Sequence, residues 1–276
     1  MSLEASYRAL VATIESAGAV AREYFHSDDL SNDQKADGSV VTRVDTSIER
    51  ALRTFIAEHF PHDAVIGEEE AKTDGTSGYV WHIDPIDGTD NFLRKIPFCG
   101  ISVARLGDTA EGSLAIVHNP ITQHTFASLM DNGVYENERI IALTPEPLGG
   151  RYVISTAFGA EPWMRAAKYP LSAALEAAFG RVKSFSCSAL QTAYLSSGRF
   201  DAHVTCGLHS WDYAAGLHLA HVAGGVTSVF EDGVWTRWEK SDKELFAVHG
   251  RTMVTSHPAV HNKILAVIGD PHQWAS

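Results

Sequence analysis

Apolar residues near the N-terminus recur every three or four positions. Tyr7, Leu10, Val11, Ile14, Ala17, Ala21 and Tyr24 fall on one face of a helical period, which predicts an amphipathic helix over about residues 4–25. The polar, breaker-rich "SNDQKADGSV" then reads as a loop or short hairpin. Ile48, Leu52, Phe55 and Ile56 mark a second helix, opened by Thr46-Ser47-Ile48-Glu49 read as a capping box. Beyond it "DAVIG" and "YVWHID" read as strands, followed closely by "FCGISVARL", "GSLAIVHNP" and "HTFASLM", with turns at "DNG" and "NER". The second half alternates. "RYVISTA" and "FDAHVTC" read as strands; "PWMRAAKYPLSAALEAAF", "SALQTAYLSSG" and "WDYAAGLHLAHVAGG" read as helices, the last closing on a glycine pair suited to a C-cap. "VTSVF", "VWTRW" and "TMVTS" add strands, and a final helix starts near His257-Pro258. The pattern is a mixed α/β layered fold with antiparallel sheet content.

Length and charge narrow the classes. The 276 residues, 45% hydrophobic and 20% charged, supply a sizeable core and read as one domain over 1–276, in halves of about 1–150 and 151–276. No repeat, low-complexity tract or linker divides them. No apolar run approaches the ~20 residues of a membrane span. "MSLEASYRAL" lacks the basic start and apolar run of a secretion signal, so a cytoplasmic protein is expected. Cys99, Cys187 and Cys206 are odd in number and show no CxxC spacing, which points to reduced thiols. The net charge of -12 with no basic block argues against nucleic-acid binding. An anionic substrate would need a local reversal of sign.

"VWHIDPIDGTDNF" supplies a reason for such a reversal. An apolar strand runs into Asp84 and Asp87, with Asp90 just beyond and Glu68-Glu69-Glu70 one loop upstream. Converging carboxylates repel one another and lose solvation, so a partner must offset the cost. Mg²⁺ takes oxygen ligands and is often held by a few carboxylates plus substrate phosphate. Glu69, Asp84 and Asp87 supply carboxylates, and the Ile86 carbonyl is placed to add an oxygen. The Asp84-Pro85 step is expected to end the strand; Gly88 permits a turn, and Thr89 starts a polar stretch that could open a helix facing phosphate. In "HSWDYAAG", Asp212 sits at an expected helix start, as a plain N-cap or as a further metal carboxylate. Competing chemistry is weaker. His218 and His221 share a helix face but lack a third soft ligand for zinc; Ser186 and Ser188 lack a His–Asp signature; Cys187 and Cys206 read as core.

"IGEEEA", "WHIDPIDGTDNF" and "WDYAAGLHLAHVAGG" together resemble the metal-binding signatures of the inositol monophosphatase family, over nearly the whole chain. The resemblance implies a layered αβαβα sandwich and Mg²⁺-dependent hydrolysis of a phosphomonoester, with two to three ions per site. It implies a first metal on Glu69, Asp84 and the Ile86 carbonyl, and a second on Asp84, Asp87 and Asp212. A third, weaker site would involve Glu69. Glu69 and Thr89 would orient the attacking water, with Asp45 hydrogen-bonded to Thr89. Substrate contacts would come from Asp87, Gly88, Thr89, Ser188, Ala189, residue 205, Asp212 and Lys35, the last on a loop over the site. Lithium sensitivity, a homodimer and a small phosphorylated substrate follow from the same likeness, with no nucleic-acid or membrane partner.

One departure bears on substrate. Inositol-specific members carry a glutamate where this chain has Thr205, which can hydrogen-bond a hydroxyl but bears no charge. Myo-inositol 1-phosphate is the leading expected substrate. Histidinol-phosphate, fructose 1,6-bisphosphate and nucleotide phosphatases on the same scaffold are the alternatives, as is a non-catalytic regulator that binds metal and ligand.

Overall fold

The computed structural model describes residues 2–27, 32–34, 40–107, 112–129, 132–143, 151–238 and 250–275. Helix α1 (Leu3–His26) buries Leu10, Ile14, Ala17 and Ala21 of the expected stripe, with Phe25 added and Tyr7, Val11 and Tyr24 only half-buried against the core. Two short strands, β1 (Asn32–Gln34) and β2 (Val40–Thr42), pair antiparallel. Lys35 lies outside the described residues.

Helix α2 (Arg43–His59) starts earlier than its expected capping box. Thr42 is the N-cap: its hydroxyl accepts the Val44 and Asp45 N–H groups, and Asp45 accepts the Thr42 N–H at 2.9 Å. The box is therefore Thr42–Asp45, not Thr46–Glu49. Thr46 lies inside the helix, and the Glu49 carboxylate turns to the backbone of Glu69 and Glu70.

A seven-stranded sheet follows in chain order: β3 (Ala64–Gly67), β4 (Val80–Asp87), β5 (Gly100–Leu106), β6 (Leu114–Asn119), β7 (His124–Leu129), β8 (Val134–Glu136) and β9 (Arg139–Ile141). Only β3 and β4 run parallel; the rest is an antiparallel meander. Strand β4 does not end at Pro85, as expected, but continues to Asp87. Its register slips between Asp84, opposite Ser102, and Asp87, opposite Gly100. A bulge tolerates proline because it breaks the ladder where the missing N–H would be needed. It also re-aims Asp87 relative to Asp84. The short helix α3 (Thr89–Leu93) begins at once.

The second sheet contains β10 (Tyr152–Phe158), β11 (Gly180–Lys183), β12 (Ala202–Cys206), β13 (Val226–Glu231), β14 (Val234–Arg237) and β15 (Thr252–Ser256), in the order β11-β10-β12-β15-β13-β14. Strand β11 was not anticipated: "GRVK" is short and half polar, and only its edge pairing with β10 makes it a strand. Helices α4 (Pro162–Phe179), α5 (Ser188–Ser196), α6 (Ser210–Val222) and α7 (Pro258–Ile268) complete the layers with a 3₁₀ turn at Pro271–Ala275.

Three apolar clusters fix the stacking. Leu10, Ile14, Leu52 and Ile56 pack α1 and α2 onto Trp81, Ile101 and Ile116 of the first sheet. Val117 and Phe126, on that sheet's other face, meet Leu190, Tyr213 and Leu217 of α5 and α6, and these meet Val229 and Met253 of the second sheet. Leu171, Leu175 and Ile264 of α4 and α7 cover Ile154, Val204 and Val254 behind it. The order is helix, sheet, helix, sheet, helix. Helix α6 is buried on several sides, as Tyr213, Ala214, Ala215, Leu217, Leu219 and Ala220 show, because it lies between two sheets. Among the described residues no helix is long and apolar enough to cross a membrane.

Candidate metal centre

Asp84 and Asp87 come from the two sides of the β4 bulge, and Asp212 from the first turn of α6. One carboxylate oxygen from each of the three lies within 4.8 Å of the others. Two contacts hold α6 in that place: His82 Nδ1 hydrogen-bonds Ser210 Oγ at 3.0 Å, and Ser102 Oγ donates to the Trp211 carbonyl at 3.1 Å. Asp212 itself accepts the His209 N–H at 2.7 Å. It is thus a helix cap and a member of the cluster at once.

The electrostatics are those of crowded, desolvated anions. Burial, then the charges of Glu68, Asp87 and Asp212, push the Asp84 carboxyl well above the usual range. Burial raises Asp87 to about 7, against hydrogen bonds from the Ala189 N–H and the Cys187 thiol. The Ala189 bond is 2.6 Å long and ties the first turn of α5 to the cluster. Asp84 Oδ1 is buried without a hydrogen-bond partner. An orphaned oxygen among converging carboxylates fits a hard divalent cation, which takes oxygen ligands and removes the repulsion.

Glu68 is a glutamate whose charge acts on this cluster. The sequence expectation named Glu69, one residue later. Strands β3 and β4 are parallel with Gly67 opposite Ile83, and the Glu68 N–H donates to the Ile83 carbonyl at 3.2 Å. This register sets Glu68 beside Asp84, and its charge acts on Asp84, Asp87 and Asp45. The Glu69 N–H donates to Glu49 Oε2 at 2.8 Å.

The expected Asp45–Thr89 hydrogen bond is absent. Asp45 is fully buried and bonded to the Thr42 N–H and hydroxyl through Oδ2, while its Oδ1 has no hydrogen-bond partner. The capping box takes the carboxylate because it satisfies an orphan N–H of the helix start. Burial raises the Asp45 pKa to about 6, with the Thr42 bonds opposing and the Glu68 charge adding. The Thr89 hydroxyl donates to the Ile86 carbonyl at 3.0 Å. Gly88 sits at φ +85°, and a Cβ there would come within 3.1 Å of the Cys187 Cβ and the Ser186 carbonyl. Only glycine allows that turn to sit so close to the start of α5.

Residues expected at the substrate lie on α5 and β12. Ser188 Oγ hydrogen-bonds His203 Nε2 at 3.0 Å, and Ser155 Oγ meets His203 Nδ1 at 2.7 Å. Burial pushes the His203 pKa down to about 3, so the ring is neutral at ordinary pH. Thr205, on the same face of β12, is buried, and its Oγ1 has no hydrogen-bond partner. His218 and His221 prove to be packed: His218 is buried, and His221 Nε2 bonds Thr227 Oγ1 at 3.0 Å. All three cysteines are buried and free of disulfides.

Layered helices and sheets around an acidic, oxygen-only cluster make a fold with a candidate site for a divalent cation. Residues 2–271 match the inositol monophosphatase family, and the chain belongs to it. It is similar to the Nus factor SuhB of Escherichia coli strain K12, 31% identical over 218 residues that cover 78% of this chain and 80% of the relative. It is also similar to the inositol-1-monophosphatase of Bacillus subtilis, 26% identical over 253 residues and 91% of each chain. The solved IMPase of Thermotoga maritima superposes with a TM-score of 0.80 at 22% identity, over 98% of this chain and 99% of that one. The family is generally one of phosphatases that use divalent metal, in agreement with the layered fold and the acidic cluster.

Proposed function

We propose that this chain hydrolyses a phosphomonoester of a small polyol, with myo-inositol 1-phosphate as the leading substrate, and that it does so with Mg²⁺. The observation that carries the reading is the convergence of Asp84, Asp87 and Asp212 within 4.8 Å, with an unpartnered buried oxygen on Asp84. Glu68, Asp84, Asp87, Asp212 and the Ile86 carbonyl would hold the ions. When bound, Mg²⁺ neutralises phosphate charge and makes a water nucleophilic near neutral pH. The protein's own groups do the rest. With its proton committed to the Ile86 carbonyl, the Thr89 hydroxyl presents lone pairs and orients a water by accepting from it. Asp45, whose buried Oδ1 has no hydrogen-bond partner and whose pKa is raised to about 6, would be the acceptor for a proton released near the cluster. The Ala189 N–H fixes Asp87, and the buried residues of β12 would meet the hydroxyls of the alcohol.

The name of the Bacillus subtilis relative supports inositol 1-phosphate, and Thr205 qualifies it. A charge-assisted hydrogen bond is worth ~1.5–3 kcal/mol against ~0.5–1.5 for a neutral one, so threonine in place of an acid gives up on the order of 1 kcal/mol. That is roughly a five-fold loss of preference for inositol 1-phosphate over glycerol 2-phosphate. Thr205→Glu is expected to restore it as a rise in the ratio of kcat/KM values at saturating Mg²⁺. A ratio that falls on this substitution would contradict the assignment. The reading as a whole is tested by release of phosphate from a panel of phosphomonoesters. The SuhB relative is named a Nus factor, so binding without turnover on any of them is the rival outcome.

A further inference from the structure

Glu49 lies one helical turn beyond Asp45 on α2 and is fully buried. It takes no part in the helix cap, which Thr42 and Asp45 form. Its carboxylate faces the turn that follows β3. Oε2 accepts the Glu69 N–H at 2.8 Å, and Oε1 accepts the Glu70 N–H at 3.1 Å and Arg53 Nε at 2.8 Å. Arg53 continues the grip by donating to the Glu70 carbonyl at 3.0 Å. The approach is close enough to dictate sequence: a Cβ on Gly67 would lie 2.1 Å from Glu49 Oε1.

These contacts bracket the glutamate of the cluster. Glu68 is fixed on one side by the β3–β4 register, through its N–H to the Ile83 carbonyl. On the other side its two following amides end on one buried carboxylate. A carboxylate suits this place because it offers acceptors to two N–H groups at once, and N–H bonds to an anion are the stronger kind. The Arg53 guanidinium, with a side chain 13% exposed, balances the charge, so Glu49 adds no net anion behind the acidic cluster. The residues toward the cation are oxygen donors only, which is the set a hard ion accepts.

We propose that Glu49 is a positioning residue of the metal centre: it clamps the Glu69 and Glu70 amides and thereby holds the Glu68 carboxylate beside Asp84. The inference rests on the metal reading of the site and adds a residue that touches neither ion nor substrate. Groups that orient metal ligands typically govern affinity by 10–100-fold. Glutamine is nearly isosteric but turns an NH₂ donor toward one of the two amides, so one N–H loses its acceptor.

The test is Mn²⁺ binding to the purified full chain, read by electron paramagnetic resonance and calorimetry, with no turnover involved. E49Q is expected to weaken Mn²⁺ by roughly 10–100-fold while the far-ultraviolet spectrum is unchanged. In an E68Q background the same substitution should cost less than about two-fold, because its effect travels through Glu68. A purely structural anchor would give the same penalty in both backgrounds. Should E49Q not fold, E49D carries the same cycle: its carboxylate is one methylene shorter and reaches one amide in place of two. Affinity for E49Q within about two-fold of wild type, or an undiminished penalty beside E68Q, would overturn the role of Glu49 alone. Failure of the wild-type chain to bind Mn²⁺ would overturn the metal reading and this inference with it.

Discussion

Asp87→Asn is expected to cut phosphate release about a thousand-fold and to raise the melting temperature of the chelator-treated protein. Both effects follow from one group. Asp87 is buried beside Asp84 and Asp212, and burial lifts its pKa to about 7. An acid whose folded pKa exceeds its unfolded value contributes stability below the unfolded pKa and loses it as pH rises through the folded one. Near neutral pH without metal, the cluster is therefore a cost, and removing one charge should raise the melting temperature by a few degrees. Turnover moves the other way. Divalent ions supply several kcal/mol of transition-state charge stabilisation, and each ~1.4 kcal/mol is a factor of ten. Asp212→Asn should behave alike in turnover, since the Asn amide oxygen can still accept the His209 N–H while the charge is lost. Calorimetric melting with and without Mg²⁺, beside a phosphate-release assay, checks both signs. A variant that keeps full turnover, or melts lower in chelator, would contradict the account of Asp87.

Glu68→Gln is expected to lower turnover by about a hundred-fold, and Glu69→Gln by no more than about three-fold. The contrast is sharp because the two residues are neighbours with the same chemistry. Only pairing geometry separates them: Glu68 continues the parallel register beside Asp84, while Glu69 is held through its N–H by Glu49. Parallel measurements of Mg²⁺ dependence should show the Glu68 variant needing more metal and the Glu69 variant unchanged. The reverse ranking would restore Glu69 to the cluster and void the register argument.

How much of this was legible in the sequence depends on the range of the interaction. The layered fold, most of the strands and the three aspartates were readable because each rests on a local pattern: helical and two-residue periods, and motifs that keep Asp84, Asp87 and Asp212 beside a bulge or a helix start. The choice within Glu68-Glu69-Glu70 was not, since a run of identical residues carries no register; only the partner strand decides which one faces Asp84. Strand β11 was missed for a related reason, because its assignment comes from an edge pairing with β10 and not from its own composition. The capping box was misplaced by one turn: Thr42–Asp45 and Thr46–Glu49 compete as helix starts, and the demand of the Glu69 and Glu70 amides for Glu49 favours the earlier one. Lys35 falls outside the described residues, so its place over the site stays an expectation from resemblance.

The central claim is that clustered carboxylates hold a divalent cation for phosphomonoester hydrolysis, and one measurement meets it head-on. Inositol 1-phosphate is incubated with purified protein stripped of metal, and phosphate release is followed as Mg²⁺ is returned. The account predicts no turnover above background in chelator and recovery that saturates with Mg²⁺. Full turnover in chelator, with metal content verified as nil, would contradict it.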